Sequence, residues 1–359
     1  MTTDSGALVA TRPRGLVRRA RGRPFLLGVL GLATAAIALV VGVGVGTAPI
    51  APGDALAVIL GRLTGLDLGL AVPPATETIV WDLRVPRVIT AMVVGAGLAV
   101  AGVTFQGLLR NPLADPYVLG TASGAALGAA IAVVLPVRGM FLGFGLLHGL
   151  AFVGALGAVY VVYKLSTSSG LPSLTSLLLT GYAVGSLLAA GLAMAMYLSG
   201  SALRQIFSYL LGGFDLASWQ QLAGAVPLVV IGSVLILARA RSLNGFLLGD
   251  DAAAHLGVDV RRERAILLAL ASLVTAAAVA VSGLIGFVGL VVPHVVRLLV
   301  GPNARLVLPL SAIWGAVLLV AADIAARLLG EIPVGVVTAV IGAPFFLLIL
   351  RRVRAGYEL

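Results

Sequence analysis

Asp323 and Arg327 stand four residues apart in the apolar run VAADIAARLLG, a spacing that sets a carboxylate beside a guanidinium on one helix face. In such a segment each charge offsets part of the other's desolvation cost. Two chemistries fit: a structural or binding ion pair, or one step of an ion or proton relay. The pair is favoured, because a relay needs further ionisable groups in mid-span and none is found. His148, His255 and His294 are scattered and lack metal-ligand spacing, so none is assigned a chemical role and no metal site is expected. The chain has no Gly-rich loop ending in Lys and Ser or Thr, and no Gly-x-Ser-x-Gly elbow. It does not hydrolyse ATP alone and is read as a non-enzyme. With no cysteine, thiol chemistry and disulfides are excluded.

These residues sit in an unusually apolar chain. Of 359 residues, 60% are hydrophobic and 11% charged, and the mean hydropathy is +1.11. A soluble domain carries roughly 25% charge. That polar shell is missing, and the composition describes an all-α polytopic membrane protein. A net charge of +10 would suggest nucleic acid in a soluble protein; here the basic residues flank apolar spans, and nucleic acid is excluded.

A helix crossing needs roughly 20 apolar residues. Runs near 25–46, 88–108, 117–136, 141–163, 171–197, 221–239, 265–282, 286–300, 305–329 and 334–350 give ten spans in one domain, 25–352. The run 286–300 is short and contains Pro293 and His294, so charge must arbitrate. With ten spans and the N-terminus inside, 18 of 24 Lys and Arg lie inward and 6 outward, in agreement with the positive-inside rule. This predicts a multi-pass protein of the bacterial cytoplasmic membrane, with a basic tail 1–24 and a short tail 353–359 both cytoplasmic. The tail resembles a signal n-region, but the following run is too long for one and is read as a retained span. The outward cations are Arg62, Arg84, Arg87, Arg138, Arg204 and Arg327. Glycines repeat at i+4 at Gly120, Gly124 and Gly128, and at Gly181 and Gly185, which permits close helix approach.

Two polar interruptions stand out. LLGDDAAAHLGVDVRRERAI, within the interior segment, reads as a short helix with Asp250 and Asp251 at its start, where carboxylates suit the dipole, and Gly257 at its end. It either covers the floor of the bundle or is a handle for a soluble partner. GLLRNPLADPYVLG reads as a turn: Pro112 and Pro116 lack backbone donors, and Asn111 and Asp115 cap locally. The helix before it is expected to end after Arg110, and the next to begin near Tyr117 with Asp115 as its cap.

The stretch WDLRVPRVITAMVVGAGLAVAGVTFQGLLRNPLADPYVLGTASGA, with GDDAAAHLGV, SGLIGFVGLVVPHVVRLLVG and ADIAARLLGEIPVGVVTAVIGAPFFLLILRR, resembles the FecCD/BtuC-like permease subunits of ABC importers for iron siderophores, haem and vitamin B12. The likeness covers roughly Trp81 to Arg352. It implies the type II ABC importer permease fold, with ten helices per subunit and a homodimer or paired homologous permease. It also implies two cytoplasmic ATPase subunits that use ATP and Mg, an extracytoplasmic binding protein that delivers the chelate, and no cofactor on this chain. An iron siderophore is the foremost cargo, with cobalamin or haem next; the rival readings are an ion-coupled secondary transporter and a membrane enzyme.

The same resemblance assigns residues. Within a coupling region 245–260, Asp250, Asp251, Ala253, His255, Leu256 and Gly257 would meet the ATPase, which favours the handle. Arg84, Arg87 and Arg327 would face carboxylates of the binding protein as an exposed outer fork, or else anchor helix ends at headgroups. Asn111, Pro112 and Leu113, with Thr167 and Ser168 of LSTSSGLPSL, would gate the cytoplasmic mouth.

Overall fold

The computed structural model describes residues 14–46, 48–65, 72–135, 139–141, 144–167 and 174–355. Helix dominates because an apolar slab offers the backbone no water, so each segment must satisfy its own N–H and C=O groups. In chain order come α1 (Arg14–Gly44), α2 (Pro52–Thr64), α3 (Pro74–Thr78), a π-helical turn (Ile79–Arg84), α4 (Val85–Leu108) and α5 (Thr121–Val134). A two-residue antiparallel ribbon, β1 (Met140–Phe141) and β2 (Phe144–Gly145), leads into α6 (Leu146–Ser166) and α7 (Leu174–Leu198). A 3₁₀ turn (Gly200–Ala202) precedes α8 (Leu203–Leu211), α9 (Trp219–Ala238), α10 (Ala240–Leu247) and α11 (Asp250–His255). The chain closes with α12 (Val260–Ser282), α13 (Val288–Val300), α14 (Ala304–Leu328) and α15 (Val334–Ala355).

Among the described residues, seven helical stretches are long and apolar enough to cross a membrane, and Thr121–Val134, Val288–Val300 and Val334–Ile349 are shorter apolar helices. Together these correspond to the ten expected runs. At about 1.5 Å per residue, α5 and α13 cover only about two thirds of a 30 Å hydrocarbon core. Each is preceded by irregular backbone, which is tolerated at that depth only inside protein. Here the Tyr117 hydroxyl meets the need: it donates to the Ile285 carbonyl at 2.9 Å and accepts from the Ile285 N–H at 3.3 Å.

α4 forms the centre, packed against α14, α12, α13, α9, α10 and α1. Nineteen of its 24 residues are buried, as a helix apolar on every side requires. Small residues let its neighbours come close: a Cβ at Gly95 would overlap the Gly315 carbonyl of α14, and one at Gly102 the Gly289 carbonyl of α13. On α5, Gly124 meets the Gly154 carbonyl and Gly128 the Leu150 carbonyl of α6. The glycine repeat in that span is therefore a contact stripe. α7 is the opposite case, with Leu179, Tyr182, Leu187, Met194 and Tyr197 all exposed.

Three expectations need correction. α5 begins at Thr121, not near Tyr117, because Asp115 accepts from the Tyr117 N–H at 2.8 Å within a turn and Gly120, at φ 78°, precedes the helix. α4 ends at Leu108, and Arg110 is already left-handed at φ 47°. The segments 47–87 and 198–220, which the ten expected runs leave outside any helix, contain α2, α3 and α8, too short for a span-length hydropathy window.

Substituting Gly102→Val should lower the melting temperature of the detergent-solubilised protein markedly, since overpacking typically costs about 1–3 kcal/mol. Gly157→Ala, where nothing lies within 4 Å, should leave it unchanged or slightly higher.

Candidate functional site

Two charge clusters mark opposite ends of α4. At its start, α1 stops at Gly44 and leaves carbonyls without helical donors. Arg84 fills part of this need, donating to Val43 O and Gly44 O at 3.0 Å each and to Ala48 O. Arg327 donates to Gly42 O at 2.8 Å and to Val45 O. Two guanidinium groups thus hold five carbonyls at the broken end of one helix, where cations also suit the dipole.

The expected outer fork is therefore corrected in its exposure: Arg84 is 6% and Arg327 7% exposed. Arg87 is the most accessible of the three, yet it is shared between Asp323 Oδ1 at 2.9 Å and Asp215 Oδ1 at 3.0 Å. Asp323, fully buried, also faces Arg327 through Oδ2 at 3.0 Å, so the i,i+4 pair exists and gains a second arginine from α4. Asp215, Arg87 and Arg327 of this network line a pocket of ≈ 340 Å³ with Arg84, Phe214 and Glu331, and Asp323 lies buried behind them. Asp215 was not foreseen, because FDLASW carries no spacing that points to α4. Nearby, Trp219 Nε1 donates to Trp81 O at 2.8 Å and the two rings meet at a tilt of 36° with centroids 4.9 Å apart; tryptophan is enriched at membrane interfaces.

At the other end of α4, Asn111 Oδ1 accepts from the Leu113 N–H at 2.9 Å and stiffens the turn, leaving Asn111 and Pro112 exposed and Leu113 half-buried. Burial pushes the Asp115 carboxyl up to about 6, against the opposing pull of the Tyr117 N–H. Thr167 ends α6 by donating to Tyr163 O at 2.9 Å; Ser168 lies outside the described residues.

α11 starts at Asp250 as expected, and Gly257, at φ 81°, closes the segment. Its side chains divide by face. Asp251, His255 and Leu256 are exposed beside Leu248, whereas Ala253 is buried against Gly245 of α10. Asp250 turns inward, and its Oδ1 accepts from Arg110 Nη2 and Arg264 Nη2, each at 2.7 Å. Burial alone would raise this carboxyl, but hydrogen bonds and charge from Arg264 and Arg110 outweigh it and hold it below the usual carboxylate range. Asn244 of α10 accepts from the Ala304 N–H at 2.7 Å and donates to Asn303 Oδ1 at 2.9 Å, tying the segment to α14. Sequence reasoning missed these cross-links, since Arg110 and Asp250 are separated by 140 positions.

Among the described residues no group of His, Asp and Glu could hold a metal ion. His148 Nε2 lies 3.2 Å from Gln221 Nε2 and His294 packs edge-on to Phe345, both as packing residues. What the arrangement offers is two ionic hubs on a shared central helix.

The model of the FecCD transport family matches residues 34–352. The chain belongs to the FecCD transport family. It is 46% identical over 288 residues to a cobalamin import system permease of Halobacterium salinarum, covering 79% of this chain and 76% of that one. It is 42% identical to a hemin transport system permease of Yersinia pestis, covering 77% and 84%. It is also 37% identical to an Fe(3+)-citrate import permease of Bacillus subtilis, covering 77% and 83%. A solved metal-chelate type ABC transporter in an inward-facing conformation superposes with a TM-score of 0.77 at 30% identity, covering 92% of this chain and 99% of that one. Like its FecCD relatives, the chain is a permease subunit of an ABC importer and not itself catalytic; the ATPase is a separate subunit.

Asp323→Ala should destabilise the FecCD chain by about 3–5 kcal/mol, because it leaves Arg87 and Arg327 without their buried counter-charge. Glu77→Gln, in the exposed pair with Arg62, should cost no more than about 1 kcal/mol. Both can be read from thermal unfolding in detergent. For Asp250 the folded value is depressed, so its contribution is present above the usual carboxylate range and is lost as pH falls through it. The melting-temperature difference between wild type and Asp250→Asn should therefore shrink as pH drops from about 6 to about 3.

Proposed function

We propose that this chain is the pathway subunit of an importer that carries a metal chelate inward by alternating access. An extracytoplasmic binding protein delivers the cargo, and two cytoplasmic ATPase subunits, using ATP and Mg, drive the cycle. The observation that carries this reading is α11: a short helix presenting Asp251, His255 and Leu256 outward while Asp250 is tied to the turn at the end of α4. A soluble partner that grips the outward face therefore moves groups connected to that turn, which makes the handle reading the better one. The inward bias of 18 among 24 basic residues supports a cytoplasmic location for this end and for both termini.

The exposed face of α7 supports a homodimer, with the second copy covering Tyr182, Leu187 and Tyr197. On the outer side, Arg87, partly accessible and next to the exposed Asp215 and Glu331, is the arginine within reach of a binding-protein carboxylate. Arg84 and Arg327 contribute by shaping the rim through the α1 end. Asn111, Pro112 and Leu113, with Thr167 and Ser168, form the cytoplasmic gate. The related permeases are named for cobalamin, hemin and ferric citrate, each a metal held in an organic ligand, and that shared chemistry is the proposed cargo class. Cobalamin moves ahead of an iron siderophore as the first to test, because the relative at 46% identity is a cobalamin permease.

In proteoliposomes containing the permease, its ATPase and its binding protein, one of radiolabelled cobalamin, haem or ferric citrate should accumulate only with ATP. Gradient-driven uptake by the permease alone would support a secondary transporter instead. Leu113→Ala should raise ATP-independent leak of that cargo on the order of tenfold, equivalent to about 1.4 kcal/mol of lost closed-state preference. A leak equal to wild type would return the motif to being a turn.

A further inference from the structure

Most ion pairs among the described residues serve one place: Arg62–Glu77 is a surface pair, Arg239–Glu263 lies at the foot of α12, and the Asp323 network braces the α1 end. Asp250 differs because a single oxygen joins two segments of separate function. It receives Arg110 from the turn after α4 and Arg264 from α12. Arg264 is held in place, 13% exposed and stacked 5.5 Å from the centre of the Phe246 ring. It belongs to α12, which packs along α4, so it forms the fixed side of the junction.

Arg110 is the movable side. A residue required only to keep positive charge inside would extend toward headgroups. Arg110 instead adopts φ 47°, a left-handed backbone that is unfavourable for an L residue, and its guanidinium lies against α11. The residue immediately after it is Asn111, whose side chain fixes Leu113. Any displacement of Arg110 is thus delivered directly to the turn. Gly249, at φ 111°, is next to the same guanidinium, where a Cβ would lie 3.7 Å from Nη1. The adjacent carboxylate, Asp251, is exposed, so the two aspartates differ in direction: Asp251 points outward and Asp250 toward the bundle.

We propose that Arg110, Asp250 and Arg264 form a latch through which displacement of α11 opens or closes the Asn111–Leu113 turn, with Arg110 as the positioning residue. This rests on the importer reading. A partly exposed ion pair adds little to stability, so it can break and re-form in each cycle. It transmits direction, and the bias passes both ways between the partner face and the turn.

The test uses the full chain assembled with its ATPase subunits in proteoliposomes, with one spin label at Leu113→Cys in a chain that has no other cysteine. Distances between the labels of paired permease subunits are measured without nucleotide and with ATP plus vanadate, and no cargo is needed. Arg110→Gln is the decisive variant because its side chain lies outside α11 and leaves the partner face intact. It should retain ATP hydrolysis while reducing the nucleotide-driven shift in open-to-closed ratio by roughly two- to thirtyfold. Arg110→Lys should restore most of the shift, which a loss of folding would not allow. Arg110→Gln and Asp250→Asn chains that both show the full wild-type shift would overturn the latch while leaving the importer reading intact. A wild-type chain with no nucleotide response would overturn the importer reading and the latch with it.

Discussion

Every backbone polar group inside an apolar slab must find a partner within the protein, and that constraint organises this molecule. Where helices are continuous it is met locally. Where they break, specific side chains meet it: Arg84 and Arg327 at the end of α1, and the Tyr117 hydroxyl at Ile285. Arginine suits the first task because its planar fork presents several donors at once to diverging carbonyls. The cost is buried positive charge, and Asp323 exists in that setting as its counter-charge. An ion pair that first suggests transport chemistry is thereby part of the scaffold.

The central helix makes the two ends of the molecule interdependent. α4 carries Arg87 near its start and leads into Arg110 after its end, and both are engaged with distant segments of the chain. Glycine contacts along α4 bring α13 and α14 to backbone distance, so the helix has little room to shift alone. Movement is therefore expected to involve groups of helices and to be concentrated in the turns, which is where the polar residues lie. A FecCD permease performs no bond chemistry, and its residues act by setting which arrangement of the helices is favoured.

Much of this was legible in the sequence. Apolar run length and the arginine bias anticipated the ten apolar helices, and the Ala-rich segment with paired aspartates anticipated α11. The i,i+4 spacing identified the Asp323–Arg327 pair. What escaped was of one physical kind. Short helices such as α2 and α8 are amphipathic rather than uniformly apolar, and contacts such as Asp215–Arg87 or Arg110–Asp250 depend on how segments far apart in the chain pack together. Exposure was also misjudged for Arg84 and Arg327. An arginine near a helix end reads as a surface cation, and only the three-dimensional path of α1 reveals the carbonyls it serves.

In the proposed cycle an ATPase subunit operates this permease through the outward face of α11. Asp251→Cys, introduced into a chain that has no cysteine of its own, allows a direct measurement: labelling by a membrane-impermeant thiol reagent in membranes of known orientation, with and without the ATPase. Labelling is expected from the cytoplasmic side only, with strong protection once the ATPase is bound. Labelling from the outer side, or labelling unaffected by the bound ATPase, would contradict it.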